Sequence, residues 1–313
     1  MKEKKNQIQK IDCLIRKARV PLFLHHFGPK TYTAREHCKT WLLKEAHKCS
    51  WDDYFEDWAS LELDRIPDCS TLKKFVKRLP FWLKNKLIGL SAGSSPAMYG
   101  AIDSTGLSRT NASEHFIKRI DREKPIRKAL KLSMYTTKKR ILSFRLRARW
   151  RGDTKDVKYL TSKSLVIAEI NCLDKAYCAN YIHAHFREDL EVYSIIPPKK
   201  NSKRGKYIKE MIQYYDHGQF LERNCAEYNN SSLKRRFGDY VRSVTFRTQH
   251  SEVAARIVLH NLKAILARLF HQSLIYYSIF VLISSAQLNS GRNTWSAPAF
   301  LSRFMCSLRL HRA

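Results

Sequence analysis

Through residues 1–97 the apolar positions recur at helical spacing. Trp51, Tyr54, Phe55, Trp58 and Leu61 follow one another at i, i+3, i+4, i+7 and i+10, the stripe of an amphipathic helix, and Ser50 with Asp53 stand at capping-box positions before it. Ser70 is expected to start another helix, in which Leu72, Phe75, Val76 and Leu79 share one face while Lys73, Lys74, Lys77 and Arg78 crowd the other. That basic face is either simply solvated or laid against a polyanion. LSAGSSPAMYG, from Leu90, is rich in small and turn-forming residues and marks a boundary.

Beyond the boundary the period shortens. MYGAID, KALKLSMYT, ILSFRLRAR, LVIAEIN and EVYSIIP are short, apolar or alternating, and rich in Val, Ile, Leu and Tyr, which reads as strands. The first three follow in quick succession, as antiparallel neighbours do, and Asp103 is expected to close the first. LVIAEIN lacks alternation, as a strand buried on both faces would. DVKYLTSK before it and CANYIHAHFREDL after it read as helices. A basic loop, PPKKNSKRGK, then leads into a long helix, FLERNCAEYNNSSLKRRFG, expected to end near Gly238. The expected class is α/β, with a ribonuclease H-like mixed sheet and flanking helices preceded by an all-helical N-terminal domain, although composition alone admits many α/β folds. The chain divides on this reading into a helical domain at 1–97, an α/β domain at 98–268 and a tail at 269–313 whose periodicity dissolves.

Charge narrows the partners. The 58 Lys and Arg against 28 Asp and Glu leave a formal charge of +30, self-repulsion that folding does not require and a polyanion would relieve. Residues 1–97 carry 19 basic to 11 acidic side chains and residues 98–268 carry 35 to 17, so most of the excess lies in the α/β segment. An aromatic content of 12% is that of a folded protein and not of a basic disordered tail, which favours nucleic acid. LIYYSIFVLISSA, from Leu274, is strongly apolar over about ten residues where about twenty are needed to span a bilayer, so no membrane partner is expected. The eight cysteines form no CxxC pair and read as reduced cytoplasmic thiols. His37, Cys38, His47 and Cys49 match no zinc-ligand spacing.

Three acidic residues carry the candidate chemistry. Asp103 and Asp174 stand at strand ends, where ligands gather in open α/β sheets, and Glu227 lies on the helix after the basic loop. Clustered carboxylates repel unless a cation neutralises them, and oxygen-only ligation suits Mg2+ or Mn2+. Two such ions can activate a water or a 3′-hydroxyl for phosphoryl transfer. Arg223, Glu227 and Lys234 lie at i, i+4 and i+11, within roughly 40° of one another at about 100° per residue, with Phe220 on the same side.

The F-x2-R-x3-E-x6-K spacing at Phe220, Arg223, Glu227 and Lys234 resembles the Tyr-Arg-Glu-Lys signature of DDE transposases of prokaryotic insertion sequences. IDSTGLS around Asp103 is similar to that family's first-acid motif, and LDKAYCANYI around Asp174 to its second. RWRGDTKDVKYL with Asp153, RIPDCSTLKKFVKRL from Arg65, and VLHNLKAI also resemble family segments, so that the likeness runs in order from about residue 30 to 268. Phe220 replaces the signature tyrosine and lacks its phosphate-contacting hydroxyl, and residues 269–313 match nothing in the family.

The resemblance implies a transposase that cleaves insertion-sequence ends and joins them to target DNA. Asp103, Asp174 and Glu227 would be the catalytic, metal-binding acids for two Mg2+ or Mn2+ ions. Phe220, Arg223 and Lys234, the loop residues Lys199, Lys200, Lys203 and Arg204, and Lys73, Lys74 and Lys77 would contact DNA. It further implies terminal inverted repeats and target DNA as partners, a homodimer on DNA, and a cytoplasmic, nucleoid-associated location. A decayed relative that binds DNA without catalysis, and a nuclease that never joins strands, are the alternatives.

Overall fold

The structure, a computed structural model, describes residues 2–24, 30–109, 129–149, 151–202 and 204–264. Lys203 and the whole of 269–313 lie outside the described residues. The chain opens with helices α1 (Lys2–Lys17), α2 (Ala34–His47), α3 (Trp51–Asp57), α4 (Ala59–Glu62), α5 (Cys69–Arg78) and α6 (Phe81–Ala92). The capping box at Ser50 and Asp53 is present, each side chain taking the other's backbone N–H. Tyr54 is fully buried, but Leu61, at the end of the expected stripe, is 75% exposed, because the helix breaks at Trp58 before reaching it.

The helix of Lys73, Lys74 and Lys77 begins at Cys69, one residue before Ser70. Asp68 is its N-cap, accepting the N–H groups of Ser70 and Thr71 at 2.8 and 3.3 Å. A carboxylate there satisfies two otherwise orphaned donors and favours the positive end of the helix. Leu72, Val76 and Leu79 are buried, and the three lysines are exposed on the far side.

Five strands follow: β1 (Tyr99–Leu107), β2 (Leu130–Thr137), β3 (Arg140–Arg147), β4 (Ile170–Leu173) and β5 (Tyr193–Ile195). Their order is β3-β2-β1-β4-β5. The β1, β2 and β3 pairings are antiparallel, while β4 pairs in parallel with both β1 and β5. An antiparallel three-strand meander extended by two parallel strands is the ribonuclease H-like sheet. β2 is buried along its whole length, since helices cover both faces. Between β2 and β3 the register slips at Tyr135 and Thr136, a bulge that turns both Ile141 and Phe144 to one face although they are three residues apart.

On one face, Leu132, Met134 and Phe144 share a core with Leu14 of α1, Trp41 and Leu42 of α2, Leu87 of α6, and Val253 and Val258 of a helix at 246–264. The apolar core therefore crosses the chain boundary near residue 97 without interruption. On the other face, Ile102, Tyr135 and Leu173 pack against α7 (Val157–Lys163) and α8 (Asn180–Ala184), and against Phe186 in the π-helical turn that continues α8. The remaining helices are α9 (Lys206–Tyr214), α10 (His217–Phe220) and α11 (Asn224–Phe237); the helix at 246–264 is α12.

Three expectations need correction. β1 continues four residues past Asp103, because Ser104 to Leu107 pair with Ser133 to Leu130, so Asp103 is a mid-strand residue. The fourth strand is Ile170–Leu173 and not the whole of LVIAEIN, since β1 offers a ladder partner only from Tyr99 onward; Leu165 is 61% exposed. The long helix through Glu227 is broken into α10, a 3-10 turn at Leu221–Arg223, and α11. Its end at Gly238 is as expected, with φ 86 and its N–H on the Lys234 carbonyl at 2.7 Å.

Gly100 leads β1 toward Asp103 where a side chain has no room. A Cβ there would stand 2.8 Å from the Ala168 Cβ, 2.9 Å from Asn171 Oδ1 and 2.9 Å from Tyr135 Cε2. Those neighbours are pinned, because the Tyr135 hydroxyl donates to Asn171 Oδ1 at 2.6 Å and accepts the Ala168 N–H at 2.9 Å. Gly100→Ala is expected to destabilise the fold by about 1–3 kcal/mol in urea unfolding. An unchanged midpoint would show that the Tyr135 ring can yield.

Candidate active site

Asp103 and Asp174 are neighbours by register. β1 and β4 run parallel with Ile102 opposite Leu173, so the next step along each strand sets Asp103 beside Asp174, with strands about 4.8 Å apart. Asp174 lies just past β4 and caps the turn Lys175–Tyr177, accepting the Lys175 N–H at 2.7 Å. Asp103 is half-buried, and its Oδ2 accepts the Asn230 side-chain N–H at 3.0 Å.

Glu227 comes from α11, which lies across β1 and β2. Asn229 anchors that helix by donating to the Thr137 carbonyl at 2.9 Å and to the Cys225 carbonyl at 2.7 Å. Its own Oδ1 receives His260 of α12 at 3.0 Å. Asn230 next to it reaches Asp103, which places Glu227, one turn earlier, on the same flank. Glu227 is exposed and ion-paired with Arg223 four residues before it. The Arg223 guanidinium also lies 5.7 Å over the Phe220 ring, which in turn is 5.7 Å from Tyr215.

The electrostatics agree with the geometry. Burial pushes the Asp103 carboxyl above its ordinary value, and the charges of Asp174 and Glu227 push in the same direction; the Ser104 N–H and Arg223 oppose them. A half-buried carboxyl acted on by the charges of two other carboxylates makes with them an oxygen-only donor set, suited to a hard divalent cation. Each is held by its own partner, Asn230, the Lys175 N–H or Arg223, and among the described residues no three acidic, His or Cys side chains close to metal-ligand distance. The donor set fits such an ion by its chemistry.

The other expected residues are spread over three elements. Lys234 is half-buried on α11. Lys199, Lys200 and Arg204 are exposed on the loop after β5, and Lys73, Lys74 and Lys77 are exposed on α5. Lys73 is engaged by Asp52 at 3.0 Å. His47 does not approach a metal cluster: it pairs with Glu62 at 2.8 Å and stacks on Trp58 at 4.2 Å.

Sequence reasoning missed two supports. Asn230 has no charge to reveal it, although its position three residues after Glu227 places it on the relevant helix face. Asp156 is fully buried, with Arg147 at 2.7 Å, Lys131 and Arg145 at 3.4 Å, and the Ser133 hydroxyl donating to it at 2.8 Å. Burial raises its carboxyl, but Arg147, Ser133 and Lys131 outweigh that and hold it below the usual range. Ser133 continues through Ser104 at 2.9 Å to the Tyr177 hydroxyl at 3.3 Å, linking Asp156 to residues beside Asp103 and Asp174.

No family model matches the chain, and no curated protein matches it. Among solved structures it is similar to a cryo-EM structure of a piggyBac transposase synaptic complex with hairpin DNA. The TM-score is 0.45 at 11% identity, over 96% of this chain and 82% of that one. The fold assignment rests on the strand order itself. Among the described residues no helix is long and apolar enough to cross a membrane.

Proposed function

We propose that the chain is a DNA transposase of the DDE class, and the observation that supports the reading is the parallel β1–β4 register, which ends with Ile102 opposite Leu173 one residue before Asp103 and Asp174, together with the charges of Asp174 and Glu227 that both act on Asp103. Together these carboxylates would hold two Mg2+ or Mn2+ ions, which supply charge neutralisation and an activated oxygen nucleophile. Arg223 and Lys234 would grip phosphates next to the scissile bond, Arg by a bidentate fork and Lys as a point charge. Phe220 would pack against the same DNA without donating a hydrogen bond. In the first reaction a water oxygen bonds to phosphorus and the 3′-oxygen leaves as a hydroxyl; in the second that freed 3′-hydroxyl oxygen bonds to a target phosphorus, losing its proton, while the target's own 3′-oxygen leaves and takes up a proton. Lys199, Lys200, Lys203 and Arg204 would hold flanking DNA, and Lys73, Lys74 and Lys77 the end sequence, with two copies of the chain pairing two ends. Insertion-sequence origin and a nucleoid-associated location belong to the same reading.

The test is incubation with Mg2+ and duplexes carrying the inverted repeats that flank the gene. Nicked ends followed by joined products are expected. Cleavage without joining would favour a nuclease, and binding without cleavage a DNA-binding protein derived from a transposase. Duplex affinity should also fall steeply with salt, with a log-log slope of about −4 or steeper if several cations each release a counterion. A slope near zero in an anisotropy titration would remove the electrostatic basis of the proposal.

A further inference from the structure

The junction of α5 and α6 meets the start of α12 in a pocket of about 190 Å3 whose ionisable lining is entirely basic: Lys77, Arg78, Lys84 and Arg247. Lys84 is the unusual member. It is 1% exposed, yet its ammonium has no carboxylate partner among the described residues. Its contacts are the Ser251 hydroxyl at 3.2 Å and the face of the Phe81 ring at 4.3 Å. The Ser251 hydroxyl points its hydrogen at the carbonyl of Val76 or Arg247, at 3.1 and 3.0 Å, and so can only accept from Lys84. Buried cations are ordinarily paired, because removing an ammonium from water costs several kcal/mol that a hydroxyl and a ring do not return. Burial and the nearby Arg247 accordingly bring the Lys84 pKa down to about 8. An anion in the pocket would restore it.

Two further features point to the same ligand. α6 begins at this pocket with Pro80 as N-cap and no side-chain cap, so its first-turn N–H groups face outward with the positive end of the helix dipole. Phe81 lines the pocket and is 46% exposed, and the chain neighbours of two lining residues are also exposed rings, Trp82 at 54% after Phe81 and Phe246 at 38% before Arg247. Cations in a concavity with aromatic rings beside them suit a nucleic-acid strand, the phosphate in the pocket and the sugar or base against the rings.

We infer that this pocket is a phosphate-binding site, and that it takes a backbone phosphate of DNA at a point separate from the carboxylates. The choice of DNA as the source of the phosphate rests on the function proposed above. The site shares no residue with that centre. His250 beneath it packs on Phe144 of the edge strand β3 at 4.7 Å, two strands from β1. Contact here would hold the duplex by the helical segment while its reacting phosphate lies at Asp103 and Asp174.

The test uses the full chain, a 20-base-pair duplex read by fluorescence anisotropy, and inorganic phosphate read by thermal shift. Arg247→Ala, an exposed change, and Lys84→Met, which removes a buried charge at similar length, are each expected to weaken duplex binding about tenfold and to reduce the salt slope by about one. Lys84→Met should melt at the same temperature as the parent or higher, which separates lost contact from lost folding. Parent-like affinity and slope in both variants would overturn the inference, even if Mg2+-dependent cleavage by the parent upholds the proposed function. Stabilisation by phosphate alone, with duplex binding unchanged in the variants, would assign the pocket to free phosphate and overturn DNA as its source. A parent that binds no duplex would overturn both proposals.

Discussion

Asp103→Ala, Asp174→Ala and Glu227→Ala are each expected to lower Mg2+-dependent cleavage of an end-bearing duplex by about a thousandfold or more, since lost metal ligation forfeits several kcal/mol of transition-state stabilisation. Duplex affinity should stay equal or rise, because a carboxylate facing phosphates repels them. The three changes should differ in their side effects. Removing Asp103 strips Asn230 of its acceptor and relieves a desolvated carboxyl, so stability should change little. Removing Glu227 frees Arg223, its ion-pair partner, and should tighten DNA binding most. Gel-resolved cleavage rates beside anisotropy binding curves decide the matter. A variant that cleaves at near-parent rate would strike that residue from the site.

The second large effect is acid sensitivity well above the carboxylate range. Burial brings His183 down to about 4, with Arg187 adding to it; His260 down to about 4, with Arg236 and Lys263; and His250 down to about 3, with Lys84. All three are under 10% exposed. Their folded pKa values lie below the unfolded value of about 6.5, so the unfolded chain binds more protons as pH falls. The stability these neutral rings contribute is present above pH ~6.5 and is lost progressively toward pH ~4, on the order of several kcal/mol in sum. Against a usual total of about 5–15 kcal/mol that is a large fraction. Urea midpoints should therefore drop steeply between pH 7.5 and 5, and His250→Gln should flatten part of the curve. A flat profile over that window would mean the rings take up protons without cost.

How far the site could be read in advance depended on whether geometry followed from a period. The stripe of Arg223, Glu227 and Lys234 is a matter of 100° per residue, and Arg223 and Glu227 do meet. Asp103 was harder to place: Ser104, Thr105 and Gly106 read as the end of a strand, yet cross-strand pairing to β2 carries them on. Pairing is a property of two segments, and one segment's pattern does not contain it. The same reason shortened β4. Asp68 and Ser70 are both good N-caps, and only backbone geometry distinguishes them. The Lys84 pocket was invisible for a related reason: the sequence shows Lys84 as one basic residue among many, and its burial arises from α12, far along the chain.

The hydrogen bond from His260 to Asn229 has a consequence for the order of events during synthesis. Asn229 fixes α11 on β2, and Asn261, next to His260, binds both the Ile141 N–H and carbonyl. The helix that presents Glu227 is thus clamped by residues made more than thirty positions later. Because domains close as units once their last packing element has emerged, a ribosome-bound chain that already contains every acid of the site would still lack the clamp that seats Glu227. The proposed action on DNA would begin only when α12 is free to dock.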